Sequence, residues 1–143
     1  MARPPFQDFL TPDGYVKNEQ VMSQGLQALK IAEENGVTLL QCISGSDLLI
    51  SMHALQTEEF AVRAEVLDSA SILKHCTTNA AQMLRMEGKI GTVSPGAFAD
   101  LLILNVNPLD DITFLDRPED HLLAVMKEGR IAMSSVPGLP KHE

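Results

Sequence analysis

From Val37 to Ile43 the chain reads Val-Thr-Leu-Leu-Gln-Cys-Ile, a mostly apolar run that follows Asn35-Gly36 directly and gives way to Ser44-Gly45-Ser46-Asp47. A near-continuous apolar run bounded by turn residues suits a parallel strand covered on both faces, although periodicity alone does not separate it from a turn of buried helix. As a strand it demands neighbours on both edges and helices over both faces, which points to an α/β fold. It would also put Asp47 at a strand's C-terminal end, the edge where α/β folds bind ligands.

The flanking segments fit that class. Between Glu19 and Glu34, apolar residues recur at Met22, Leu26 and Leu29, widened by Val21, Ala28 and Ala32, and Asn35-Gly36 supplies a stop; this predicts an amphipathic helix. The stretch to Asn18, with Pro4, Pro5, Pro12 and Gly14, reads as irregular. Helices are predicted from Thr57 to Leu67, from Asp68 as cap through Cys76, and from Thr77 or Thr78 to Met83 or Leu84, with Gly88 just beyond. Lys89–Val93 and Ala99–Asn105 then read as short strands around Ser94-Pro95-Gly96, and Leu122–Lys127 with Arg130–Met133 as a hairpin turning at Glu128-Gly129. Residues 106–121 are polar, hold Pro108 and Pro118, and read as a connection; the tail from Ser134 to Glu143 is expected to fray.

Composition narrows the function. A chain of 143 residues that is 45% hydrophobic and 21% charged has one domain's length, can bury roughly 70% of its unfolded surface, and is too apolar for disorder. Its net charge of -8 sets 19 acids against 11 scattered bases, with no cluster to track a phosphate backbone, so nucleic acid is not an expected partner. There is no uninterrupted apolar run of about 18 residues and no apolar core of a signal peptide near Met1, so no membrane partner is expected and the chain reads as soluble and cytoplasmic. Cys42 and Cys76 lie in apolar segments without CxxC spacing, which suggests buried free thiols.

Taken in order, Asn35-Gly36-Val37, Gly45-Ser46-Asp47-Leu48-Leu49, Met52-His53, Glu59-Phe60, Arg63-Ala64-Glu65, Thr77-Thr78-Asn79-Ala80-Ala81, Met86-Glu87-Gly88-Lys89-Ile90-Gly91, Pro95-Gly96-Ala97, Ala99-Asp100-Leu101-Leu102, Asn107-Pro108-Leu109 and Val125-Met126-Lys127-Glu128-Gly129-Arg130 resemble the C-terminal portion of the amidohydrolase superfamily. The pair of leucines after Asp47, His53 and Glu59-Phe60 are similar to its imidazolonepropionase-like and prolidase-like dipeptidase branch, which includes ochratoxin-cleaving amidases. The resemblance implies a (β/α)8 barrel beside a small composite β-sandwich. This chain would supply the last barrel strand and helices over residues 19–87 and sandwich strands over residues 88–133, with residues 1–18 irregular and residues 134–143 as tail.

The resemblance also implies chemistry. In such enzymes one or two divalent metals, usually zinc, acidify a bound water and polarise the scissile carbonyl. The Asp ending the last strand ligates metal, takes the water's proton and returns it to the leaving nitrogen; Asp47 stands at that position and is the candidate catalytic residue and metal ligand. Its alternative role is to cap the turn that follows. His53 would touch substrate in a complete enzyme, or be a surface histidine with no chemical role. His75 would pack or face solvent, and Arg63 and Glu65 would either pair or sit on a solvated helix face.

The family's His-x-His, bridging lysine and two further histidines come from upstream strands, whereas this chain's histidines are His53, His75, His121 and His142, with no ligand-pair spacing. Tight metal binding by this chain alone is therefore not expected. Gly45-Ser46-Asp47 replaces the common Gly-Thr-Asp, and the run around Leu39 to Cys42 is longer than the family pattern, through a bulge or a gene-prediction error; such an insertion could shift register and move Asp47 off the mouth. Two readings follow. One is a portion of a hydrolase of carbon–nitrogen bonds in amide or dipeptide-like substrates; the other is a non-catalytic remnant or an interaction module docking on full-length relatives. In either, the unpaired strand and the apolar faces of Met22, Leu26, Leu29, Phe60 and Leu67 would favour self-association.

Overall fold

The computed structural model describes residues 11–41 and 56–139, in two units, Met1–Leu39 and Leu40–Glu143. The first unit holds α1, Pro12–Glu34, which begins well before the predicted Glu19. The irregular reading of residues 12–18 is thereby corrected, and the reason is local. Thr11 is extended and its hydroxyl accepts the Gly14 N–H, Pro12 occupies the first turn, and Asp13 follows. Proline there lacks only an N–H that no helical carbonyl would have received.

The end of α1 is a Schellman motif. The Gly36 N–H donates to the Glu33 carbonyl at 3.0 Å and the Val37 N–H to the Ala32 carbonyl at 3.0 Å, with Gly36 at φ +68. Of the predicted stripe, Leu26, Leu29 and Ala32 are half-buried while Val21 and Ala28 are exposed; the side chain of Met22 lies outside the described residues.

Residues 37–41 carry no strand, and the remainder of the predicted Val37–Ile43 strand lies outside the described residues. A strand is made by strand partners, and the described end of this run takes others. The Gln41 N–H donates to the His75 carbonyl at 3.2 Å, and the Leu40 carbonyl accepts from the Arg63 side chain at 3.0 Å.

In the second unit α2 (Glu58–Arg63), α3 (Ser69–Cys76) and α4 (Thr78–Met83) follow the predicted order. Asp68 caps α3 as predicted, accepting the Ser71 N–H at 2.9 Å. Phe60, Ile72 and Ile112 form the core, packed by Ala64, Leu67, Leu73, Cys76 and Leu115. Phe60, expected on an exposed apolar face, is instead 3% exposed. Its cover comes from a segment read as a mere connection: Asp111 caps a 3-10 turn over Ile112–Asp116, which buries Ile112 and Phe114. Residues three apart eclipse in a 3-10 turn, so Ile112 and Leu115 share the side that packs on the core, and the average polarity of residues 106–121 hid a core element.

Lys89–Val93 is turn and bend rather than the predicted strand. The Met86 carbonyl accepts the N–H groups of both Lys89 and Ile90, and Gly88 and Gly91 take positive φ, so the backbone curls where a strand would extend. The predicted turn at Ser94-Pro95-Gly96 forms, with the Ala97 N–H donating to the Ser94 carbonyl at 3.1 Å.

β1 (Leu101–Leu104), β2 (Leu122–Lys127) and β3 (Arg130–Ser134) make an antiparallel sheet in the order β1-β2-β3, with Leu102 opposite Val125 and Lys127 opposite Arg130. The architecture is thus mixed α and β with a small antiparallel sheet. The predicted hairpin turn is Glu128-Gly129, at φ +50 and +80, as a two-residue type I′ turn requires. Asp100 holds it from β1's side: its carboxylate accepts the Glu128 N–H at 2.7 Å and pairs with Lys127.

These contacts set a pH dependence. The Lys127 hydrogen bond, then the Glu128 N–H, holds Asp100 below the usual carboxylate range; the N–H and hydroxyl of Ser71 do the same to Asp68, as do the hydroxyl and N–H of Thr113 to Asp111. Each folded-state pKa is depressed, so the contribution is fully present above the unfolded value, about 3.9, and is lost as pH falls through the folded value. Thermal midpoints should hold near pH 5–7 as far as these groups are concerned and drop below roughly pH 4. Combined Asp68→Asn, Asp100→Asn and Asp111→Asn substitution should flatten that drop; an unchanged acid limb in circular-dichroism melts would show that other groups cause it.

Candidate functional site

Asp47 and His53 lie outside the described residues. The described residues next to that stretch in sequence end at Gln41, and two elements meet them there. Arg63 ends α2, is 8% exposed, and reaches in two directions. Its Nε donates to Glu59 Oε1 at 2.7 Å, one helical turn back, and its Nη2 donates to the Leu40 carbonyl at 3.0 Å. From α3, the carbonyl of His75, a residue 2% exposed, accepts the Gln41 N–H. The reading of Arg63 as a residue on a solvated helix face is corrected here. Phe60 and Arg63 are three positions apart, so a helix that turns Phe60 into the core turns Arg63 inward too. That spacing, with Glu59 four residues before Arg63, is the signal for a half-buried pair.

Gln41 is 4% exposed, and its side-chain amide, like Arg63 Nη1, has no hydrogen-bond partner among the described residues. His75 packs, as one of its two readings held. Cys76 is a half-buried free thiol, and burial pushes its pKa up, which suppresses the reactive thiolate at neutral pH. It borders a shallow cleft of about 570 Å³ that is also lined by Thr77, Ile90, Phe98 and Lys127.

A smaller hollow of about 290 Å³ lies against Asn107, Asp110, Asp111, Phe114 and His121. There His121 Nδ1 lies 3.0 Å from Asn105 Oδ1, and its ring meets Phe114 edge to face. Both contacts orient the imidazole within the fold. Among the described residues no group of three or more His, Cys, Asp or Glu side chains is placed to hold a metal, and no described helix is long and apolar enough to cross a membrane.

Comparison with known proteins supplies what these surfaces do not. The sequence profile of the Amidohydrolase family matches residues 8–132. Adenine deaminase 4 of Rhizobium meliloti (strain 1021) is 33% identical over 116 residues, covering 76% of this chain and 19% of that protein. Crystal structures of an uncharacterized protein and of an amidohydrolase each superpose with a TM-score of 0.78 at 35% identity, covering 89% of this chain and 31% and 30% of theirs. A prolidase complexed with N-methylphosphonate-L-proline gives a TM-score of 0.77, also at 35% identity, over 89% of this chain and 30% of its own. The chain therefore spans between 19% and 31% of the length of these relatives. With a family profile matched over residues 8–132 and a fold shared at 35% identity, the chain belongs to the amidohydrolase family and is related to metal-dependent hydrolases.

Proposed function

We propose that this chain is a portion of a metal-dependent hydrolase of carbon–nitrogen bonds, corresponding to the last strand and helices of a (β/α)8 barrel and to strands of the small β-sandwich beside it. The observation that carries this reading is the family match over residues 8–132, which runs through Asp47. In it Asp47 is a metal ligand and the carrier of the proton between water and the leaving nitrogen, and His53 faces substrate. A deaminase and a prolidase among the relatives both bear names of enzymes that break carbon–nitrogen bonds, and the proline-containing ligand of the latter favours amide or dipeptide-like substrates.

The described residues do not themselves fit a divalent metal, and a catalytic zinc takes about three protein ligands. The purified chain is therefore expected to retain no stoichiometric zinc after dialysis and to hydrolyse no member of a dipeptide panel above background. One or two tightly held metals per chain by elemental analysis would overturn the assignment of Asp47 as the chain's lone ligand.

A further inference from the structure

We propose that Arg63 is a positioning residue: it holds the Leu40–Gln41 peptide group from α2 while the His75 carbonyl holds the same group from α3, fixing the backbone that leads into the stretch carrying Asp47 and His53. The Leu40 carbonyl and the Gln41 N–H belong to one peptide unit. Arg63 Nη2 donates to that carbonyl at 3.0 Å, and the N–H donates to His75 at 3.2 Å. With both its polar groups taken, the unit is pinned by two elements of one core, as strand neighbours would pin it.

The energetics argue for placement over stability. The Arg63–Glu59 pair is half-buried, with side chains 10% and 33% exposed, and an ion pair drawn out of water is weak evidence of stabilisation, because desolvation offsets the attraction. Here Arg63 Nη1 and the Gln41 amide lack hydrogen-bond partners among the described residues, and polar groups buried in that state are a further cost. Apolar side chains of similar volume would serve the Phe60–Ile72–Ile112 core as well. They could not reach the Leu40 carbonyl. The planar guanidinium fork brings both Nε and Nη2 to Glu59 Oε1, at 2.7 and 2.6 Å, while Nη2 also reaches the Leu40 carbonyl at 3.0 Å, a fixed geometry that an ammonium does not reproduce.

The functional meaning rests on the reading of Asp47 above, but the test does not. Amide hydrogen exchange by NMR on the full chain compares Gln41 with the buried Ile72 in three proteins: the wild type, Arg63→Lys, and the double variant Glu59→Leu/Arg63→Met. The double variant should melt at or above the wild-type temperature, yet its Gln41 amide should exchange roughly 10- to 100-fold faster relative to Ile72, as befits loss of a charge-assisted hydrogen bond. Arg63→Lys should restore part of that protection. Gln41 and Ile72 changing in step, or Gln41 keeping wild-type protection in the double variant, would overturn the proposal. No metal or substrate enters this readout, so a failed hydrolase reading and a failed positioning role remain distinguishable.

Discussion

Gly91→Ala is expected to destabilise the Leu40–Glu143 unit by roughly 2–5 kcal/mol, the sum of a left-handed backbone penalty and an overpacking term. Gly91 sits at φ +69, and a Cβ there would stand 2.5 Å from the Thr77 carbonyl oxygen and 2.7 Å from its carbon. The obstruction is backbone at the joint of α3 and α4 and has little room to yield. The same Thr77 carbonyl accepts the Ala81 N–H at 2.9 Å, and the Thr77 hydroxyl donates to the Leu73 carbonyl. Moving it would unseat the first turn of α4.

Gly88 is the control. It has a similar φ of +73, but nothing lies within 4 Å of its Cβ position, so Gly88→Ala should cost only about 1–2 kcal/mol. Urea denaturation of the two variants separates the terms. Equal losses would mean that the close approach to Thr77 is not a constraint in solution.

The second large effect concerns Phe60. Truncation to alanine should cost roughly 3–5 kcal/mol, a large share of the roughly 5–15 kcal/mol that holds a typical domain. Phe60 is 3% exposed and shares its core with Ile72 of α3 and Ile112 of the 3-10 turn, so one side chain links three segments. Phe98, 47% exposed, offers the contrast, and its truncation should stay within about 1 kcal/mol. Calorimetry of both variants checks this; comparable losses would relocate the core.

Local chemistry was legible at several places where partners lie a few residues apart, though not at the start of α1 or in Lys89–Val93. Asp68 as a cap, the turn at Ser94-Pro95-Gly96 and the Glu128-Gly129 hairpin depend on short-range geometry and turned out as read. Proline and glycine misled once. Pro12 and Gly14 suggested irregular chain, although a proline in the first turn behind Thr11 is a helix start. The role of Asp100 was hidden for the opposite reason. Its motif was visible in Ala99-Asp100-Leu101-Leu102, but the Glu128 N–H it accepts is 28 residues away.

The sequence by itself determined the family, through an ordered set of short motifs, and with it the candidacy of Asp47 and His53. It also determined the Asp68 cap of α3, the turn at Ser94-Pro95-Gly96 and the Glu128-Gly129 hairpin, whose hydrogen bonds close locally. Only the tertiary structure decided what long-range partners control. Residues 37–41, apolar enough for a strand, meet Arg63 and the His75 carbonyl at their described end. The polar segment around Ile112 joins the core, and the charged Arg63 is buried. The physical reason is common to all three. Hydrophobic pattern states how much surface a segment would bury, while which groups satisfy its backbone and which side faces inward depend on elements far along the chain.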